Sequence, residues 1–172
     1  IEKKLFLKVN RKKTEVAHIS TVKYLGYSFY RHKGKCRFRV HPKSVAKMKN
    51  RIRELTDRNK GISNEVREKK YQEYVRGWVE YFRLADMKKL LQKTDEWARR
   101  RIRAIYWKQW KKIKTKCRML KALGLEDWKA KELANSRKGY WRMAKVLNQI
   151  FSNKIIAKLG YTSILDYYLV VY

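Results

Sequence analysis

Apolar residues first recur at every second position along this chain, at Leu5, Leu7 and Val9 and, after a polar stretch, at Leu25, Tyr27 and Phe29. That period is the mark of a strand with one buried face. The pattern breaks at His32-Lys33-Gly34-Lys35 and resumes at Cys36, Phe38 and Val40, which predicts a β-hairpin turning at Lys33 and Gly34. Beyond Pro42 the period lengthens. Val45, Met48, Ile52 and Leu55 fall on one side of a helix for which Ser44 is the predicted N-cap. Asn59-Lys60-Gly61 then supplies a stop and Ser63 a second N-cap, with Glu65 in the first turn. In the next helix Tyr71, Tyr74, Val75, Trp78, Tyr81, Phe82 and Ala85 form a stripe whose spacing predicts core. From Asp86 the helical pattern runs through Thr115, breaks near Gly124, and breaks again around Ser136 to Gly139 and at Gly160.

The fold class that follows is α+β, with short antiparallel strands first and a mainly helical remainder. No internal repeat or low-complexity linker interrupts it. At 172 residues the length fits one domain or two small ones that share an interface. With 44% hydrophobic and 13% aromatic residues the chain can bury a core. The first residue is Ile, which suggests a fragment or a processed chain.

Charge changes the picture most. Lys and Arg number 46 against 15 Asp and Glu, a formal net charge of +31. Solubility alone asks for a magnitude of about 2–8 in a small domain. A polyanionic partner is the simplest reason for the excess, and nucleic acid fits better than a membrane surface. The cations outnumber carboxylates 13 to 2 over residues 1–44, 11 to 6 over 45–85, and 22 to 7 over 86–172. By that measure the middle part is the least committed to phosphate.

Several classes of chemistry find no support. Cys36 and Cys117 lie far apart, which argues against a disulfide framework or a zinc knuckle and for a reducing compartment. His32, Cys36 and His41 are neighbours in sequence, but a strand-turn-strand setting aims them unevenly and offers no fourth ligand. The apolar runs are too short for a membrane span. Asp95-Glu96 and Glu126-Asp127 read as first-turn helix charges. Without a Gly-rich phosphate loop or a Ser/His/Asp arrangement, no catalytic and no metal-binding residue is predicted.

The sharpest local feature runs from Trp97 to Leu125, with eleven Lys or Arg and no acidic residue. Ion pairing within that stretch is impossible. Steps of 100° per residue put Ala98, Ile102, Ile105, Tyr106, Gln109 and Ile113 on one side of a helix. Arg100, Arg103, Trp107, Lys111 and Lys114 fall on the other. One face is expected to pack and the other to meet phosphates, with Trp107 either stacking on an unpaired base or packing on a neighbouring helix. A second basic and aromatic cluster, Arg137-Lys138-Gly139-Tyr140-Trp141-Arg142, reads either as a further binding surface or as a helix entry with a buried aromatic.

At these residues the chain resembles a known family, the C-terminal part of bacterial group II intron-encoded reverse transcriptases, or maturases. Leu7-Lys8-Val9-Asn10 with Lys13-Thr14, followed by Tyr24-Leu25-Gly26-Tyr27-Ser28-Phe29, is similar to the last palm segments, with Tyr24 where the family usually has Phe. Ile52-Arg53-Glu54-Leu55-Thr56 with Arg58-Asn59 and Gly61, then Arg76-Gly77-Trp78-Val79-Glu80-Tyr81-Phe82, resemble thumb and maturase-specific helices. Arg99-Arg100-Arg101-Ile102-Arg103, Trp107-Lys108-Gln109-Trp110-Lys111 and Gly139-Tyr140-Trp141-Arg142 extend the likeness in the right order.

The resemblance implies a palm edge at 1–44, thumb helices at 45–85 and a helical, RNA-binding X domain at 86–172. It also implies an RNA-directed DNA polymerase that helps its intron fold and splice. Group II intron RNA and an RNA template with its DNA primer would be the partners, in a ribonucleoprotein of the bacterial cytoplasm. The family's Tyr-Ala-Asp-Asp segment lies upstream of such palm strands and is absent here, so this chain alone is expected to bind without polymerising, and the Mg2+ of the parent polymerase would sit elsewhere. The RNA-binding residues expected are Arg51, Arg58, Asn59, Arg99, Arg100, Arg103, Trp107, Lys108, Lys111, Lys114, Arg137, Lys138, Tyr140 and Arg142. The alternative is a stand-alone basic structural protein of ribosomal or architectural type.

Overall fold

The computed structural model describes residues 17–172; the predicted strand at Leu5 to Val9, and the palm-like residues up to Thr14, lie outside them. The described chain is α+β, a three-stranded antiparallel sheet followed by eight helices. Strands β1 (Lys23–Tyr24), β2 (Tyr27–His32) and β3 (Lys35–Val40) are joined by two two-residue turns. Both residues of each turn have positive φ: Leu25 at 48° and Gly26 at 82°, then Lys33 at 48° and Gly34 at 76°. This is the hairpin turn whose twist matches that of the strands, and the glycine makes it accessible. Tyr27 pairs with Val40 and His32 with Lys35, the register that a turn at Lys33-Gly34 requires.

Only Ser28 and Val40 of the hairpin are buried. Cys36 and Phe38, expected to point inward with Val40, are exposed. Phe38 instead packs edge-on against Tyr27 and Phe29, at centroid distances of 6.1 and 5.5 Å. Tyr27 in turn meets Phe82 at 5.1 Å, which seats the sheet on the helices. The seat is tight at Gly26, where a Cβ would stand 3.0 Å from Ser44 Oγ and 3.1 Å from Phe82 Cζ.

Helix α1 (Pro42–Leu55) starts two residues before the predicted cap. His41 is the N-cap, its Nδ1 accepting from the Lys43 amide at 3.1 Å, because Pro42 is preorganised for the first helical position. Ser44 donates its hydroxyl to Gly26 O instead, at 3.1 Å. Helix α2 (Asn64–Tyr81) is capped by Ser63 as predicted, with Glu65 in its first turn. Its aromatic stripe divides: Tyr71, Val75, Phe82 and Ala85 are buried, Tyr74 and Trp78 half-buried, and Tyr81 is 54% exposed.

Helix α3 (Lys88–Gln109) is the centre of the molecule. It does not reach Thr115: at Trp110, ψ of 60° turns the buried indole and the chain out of the helix. Every residue from Ile102 to Trp107 is buried, so the helix is enclosed on all sides there. Around it lie α4 (Ile113–Ala122), α5 (Asp127–Ala134), α6 (Tyr140–Val146), α7 (Asn153–Lys158) and α8 (Ile164–Val171). The breaks at Gly124 and Gly160 fall where expected, both glycines at positive φ.

Two carboxylates read as first-turn charges have other work. Asp95 sits in the second turn of α3 or beyond, buried, and caps a different helix. It accepts from Ser163 Oγ at 2.7 Å and from the amides of Ile164 and Leu165 at 2.9 and 3.0 Å. Asp127 does open α5, and it also bridges helices, with Lys121 of α4 at 2.7 Å and Lys131 of α5 at 2.6 Å. Hydrogen bonds from Lys121 and then Lys131 hold its carboxyl down to about 2.

Asp95→Ala strands a buried hydroxyl and two amide donors, so urea denaturation is expected to show a loss of about 3 kcal/mol or more. For Asp127 the folded pKa is depressed, so its stabilisation is present above the unfolded value of about 3.9 and is lost as pH falls toward 2. An NMR titration should find the Asp127 midpoint near 2, and Asp127→Asn should loosen the α4–α5 pair at neutral pH but not below that midpoint.

Candidate nucleic-acid interface

A buried arginine builds the site from beneath. Arg67, in the first turns of α2, is 1% exposed and donates through Nη1 to Asp57 O at 2.7 Å and Leu55 O at 3.4 Å, and through Nη2 to Lys60 O at 3.3 Å. These carbonyls belong to the last residue of α1 and to the loop joining α1 to α2, which the buried charge therefore organises. Inside the loop the Asn59 amide donates to Asp57 Oδ1 at 2.9 Å. From outside, Lys108 of α3 donates to Asn59 Oδ1, and the paired amides of Asn64 and Gln109 exchange bonds of 3.0 and 2.8 Å.

Helix α3 contributes the opposite clamp. Arg101 donates through Nε to Thr56 Oγ1 at 2.7 Å and through Nη2 to Arg53 O at 3.1 Å and Thr56 O at 3.3 Å. Its guanidinium lies 5.3 Å from the Trp97 ring, as Arg53 does at 5.9 Å. Burial first, then repulsion from Arg53, pushes the Arg101 guanidinium below its usual range. An anion set beside the two would relieve that repulsion.

Helix α6 supplies the aromatic wall. Arg100 stacks on the Trp141 indole at 4.0 Å and donates through Nε and Nη2 to Trp141 O at 3.2 and 2.9 Å. Arg58 reaches across from the loop to lie 4.9 Å over Tyr140. Trp141 and Tyr140 remain 40% and 39% exposed. Between loop, α3 and α6 lies a cleft of about 600 Å3, lined by Arg53, Arg58, Asn59, Lys60, Arg101 and Trp141 among others. Of its two carboxylates, Glu54 is paired with Arg51 at 2.8 Å and Asp57 is tied to the loop, so the cleft is cationic.

The predicted binding residues divide on this geometry. Arg58 and Asn59 line the cleft; Lys108, Arg100 and Tyr140 stand behind its lining, against Asn59, Trp141 and Arg58 in turn, and Arg137, Lys138 and Arg142 are exposed beside Tyr140 in sequence. Arg51 faces a different groove, between α1 and Tyr74. Arg99 turns toward Asp95, 3.7 Å away. Lys111 and Lys114 are exposed, but beyond the end of α3, so they do not continue the stripe from Arg100.

Arg103 and Trp107 were expected on the open face and are corrected to the interior. Arg103 donates to Phe151 O at 2.8 Å and Asn153 Oδ1 at 2.7 Å, and Trp107 is 2% exposed, 6.0 Å from the Trp110 ring. The physical reason is that α6 packs along α3 and the segment from Phe151 to Asn153 returns to meet Arg103, while Trp107 lies against Trp110 and beneath Lys116 of α4. Arg53, Arg101 and Trp141 were missed as site residues. The Trp97–Arg101 pair, four residues apart, was readable as one helical ridge; the junction of Arg100 with Trp141 was not, since 41 residues separate them.

Residues 45–124 match the family model described as group II intron, maturase-specific domain. The match covers a little under half of the chain and is to that domain alone. It supports a role in group II intron splicing, and a domain of this kind implies intron RNA as a partner. The matched residues include α2, α3 and α4 whole and nearly all of α1, so the maturase-specific domain contributes every cleft residue except those of α6. The comparison with curated proteins finds no match. Among the described residues, no three His, Cys, Asp or Glu side chains gather to hold a metal ion, and no helix is long and apolar enough to cross a membrane.

Replacing the core indole and an exposed ring should have opposite consequences. Trp107→Ala is expected to cost about 3–5 kcal/mol in urea denaturation. Tyr140→Ala should stay within roughly 0.5–1 kcal/mol of the parent, with its circular dichroism unchanged.

Proposed function

We propose that the maturase-specific domain grips structured intron RNA in the cleft between the α1–α2 loop, α3 and α6, as the RNA-binding thumb and X portion of a group II intron reverse transcriptase. The observation that carries this reading is the cationic cleft with exposed aromatic walls, whose loop is fixed from three sides by Arg67, Arg101 and Lys108. Rigid placement matters because a guanidinium already held in position loses little entropy when it meets a phosphate.

In this proposal, α1 and α2 also lie along the template and primer during reverse transcription, and polymerisation with its Mg2+ belongs to palm carboxylates outside the described residues. No step of that chemistry is assigned to the described side chains. The cleft binds, orients and releases RNA.

The test is competition at fixed salt between a structured intron RNA and a duplex DNA of equal length. Tighter binding of the RNA is expected, because the cleft offers aromatic faces that a regular duplex cannot use. Equal affinity would favour an architectural or ribosomal type of protein instead. Arg53→Ala, Arg58→Ala and Lys60→Ala should each weaken binding for all sequences alike and flatten the log–log salt slope by roughly 0.7–0.9 for every phosphate no longer neutralised. Arg51→Ala, in the neighbouring groove and paired with Glu54, should leave the slope nearly unchanged.

A further inference from the structure

The cleft brings an aromatic ring and several cations together in a small volume. Its floor is Ala104 and Arg101, one wall is the rigid loop, and the other is the indole of Trp141. A paired A-form helix can rest its phosphates on Arg53, Arg58 and Lys60, but its bases stay stacked inside and cannot reach an indole beside the floor. A single nucleotide turned out of its helix can. The cleft volume, about 600 Å3, is of the size that takes a small ligand and not a duplex.

The indole is prepared for such a guest. Arg100 covers it at 4.0 Å and also bonds the residue's backbone carbonyl, which fixes both ring and helix end, and Trp141 as a whole remains 40% exposed. Arg100 is thus a positioning residue, its charge spent on Trp141 and not on a phosphate. Opposite, the bonds of Arg101 engage Nε and Nη2 and leave Nη1 for an anion next to Arg53. An aromatic face and an incompletely used guanidinium in one cleft match the two parts of a nucleotide, base and phosphate.

We infer that this cleft is a single-nucleotide subsite, taking one unpaired nucleotide of the bound RNA with its base stacked on Trp141 and its phosphate between Arg53 and Arg101. The inference rests on the RNA-binding reading above and narrows it from a surface to a pocket. It distinguishes Trp141, which selects unpaired bases, from Arg58 and Lys60, which hold phosphates of any RNA.

Two RNA hairpins, identical except for one bulged nucleotide in the stem, test it with the whole chain at fixed salt. The bulged RNA should bind more tightly, an abasic bulge should not, and 2-aminopurine in the bulge should lose emission on binding. Trp141→Ala should lower affinity for the bulged RNA by roughly 5- to 150-fold, to the level of the paired one, with the salt slope unchanged. Trp141→Phe should restore most of the preference. Equal binding of the two hairpins by the unaltered protein, or unchanged 2-aminopurine emission, would overturn the subsite while leaving RNA binding intact. Failure to bind either hairpin or intron RNA would overturn the RNA-binding reading itself.

Discussion

The enclosure of α3 between Ile102 and Trp107 is the constraint on which the rest of the molecule depends. A helix buried all round must find partners for everything it carries inward, including a charge. Arg103 does so through Phe151 O and Asn153 Oδ1, and this draws the turn between α6 and α7 onto the helix. Asp95, a little earlier on α3, does the same for the start of α8 by accepting from its hydroxyl cap and two of its amides. The polar groups of α3 thus dock the C-terminal helices, while Ile102, Ile105 and Trp107 supply the apolar area that makes docking favourable.

That enclosure also decides which cations are free to act. With Arg103 committed to the interior and Arg99 near Asp95, the cations that remain in the second half of α3 are the half-buried Arg100, Arg101 and Lys108. Each reaches a different element: Trp141 of α6, Thr56 at the end of α1, and Asn59 of the loop. The cleft is therefore a by-product of how α3 is held, with its walls tied to the same helix. A site assembled this way is stiff because its supports are short, charge-assisted hydrogen bonds to backbone carbonyls and side-chain oxygens.

Charge density in the sequence is a poor guide to where such a site forms. Residues 45–85 have the smallest excess of cations, yet they contribute Arg53, Arg58 and Lys60 to the cleft. Residues 111–121 are far richer, and their lysines are spread over an exposed helix where one reaches Trp107 and another Asp127. What distinguishes the loop is its scaffold. Buried Arg67 fixes the backbone beside these three cations, so their geometry, more than their number, makes a surface that one ligand can meet at several points.

Local patterns in the sequence determined much of the fold. The two-residue period with Lys33-Gly34, the Ser63 cap, and the stops at Gly124 and Gly160 are short-range chemistry, and each appears where the pattern put it. The helical stripe of α2 was legible as core but not in which of its aromatics stay open, since Tyr81 and Trp78 depend on where the sheet sits. The same limit governed α3. Its own periodicity marks one apolar face, and nothing within it announces that the segment from Phe151 to Asn153 returns to Arg103, or that Trp110 and Lys116 close over Trp107. Tertiary structure alone decided that, and with it the pairing of Arg100 with Trp141 and the use of Asp95 as a cap, because pairings between residues about 40 to 70 positions apart are set by how helices pack and leave no trace in any one helix's spacing.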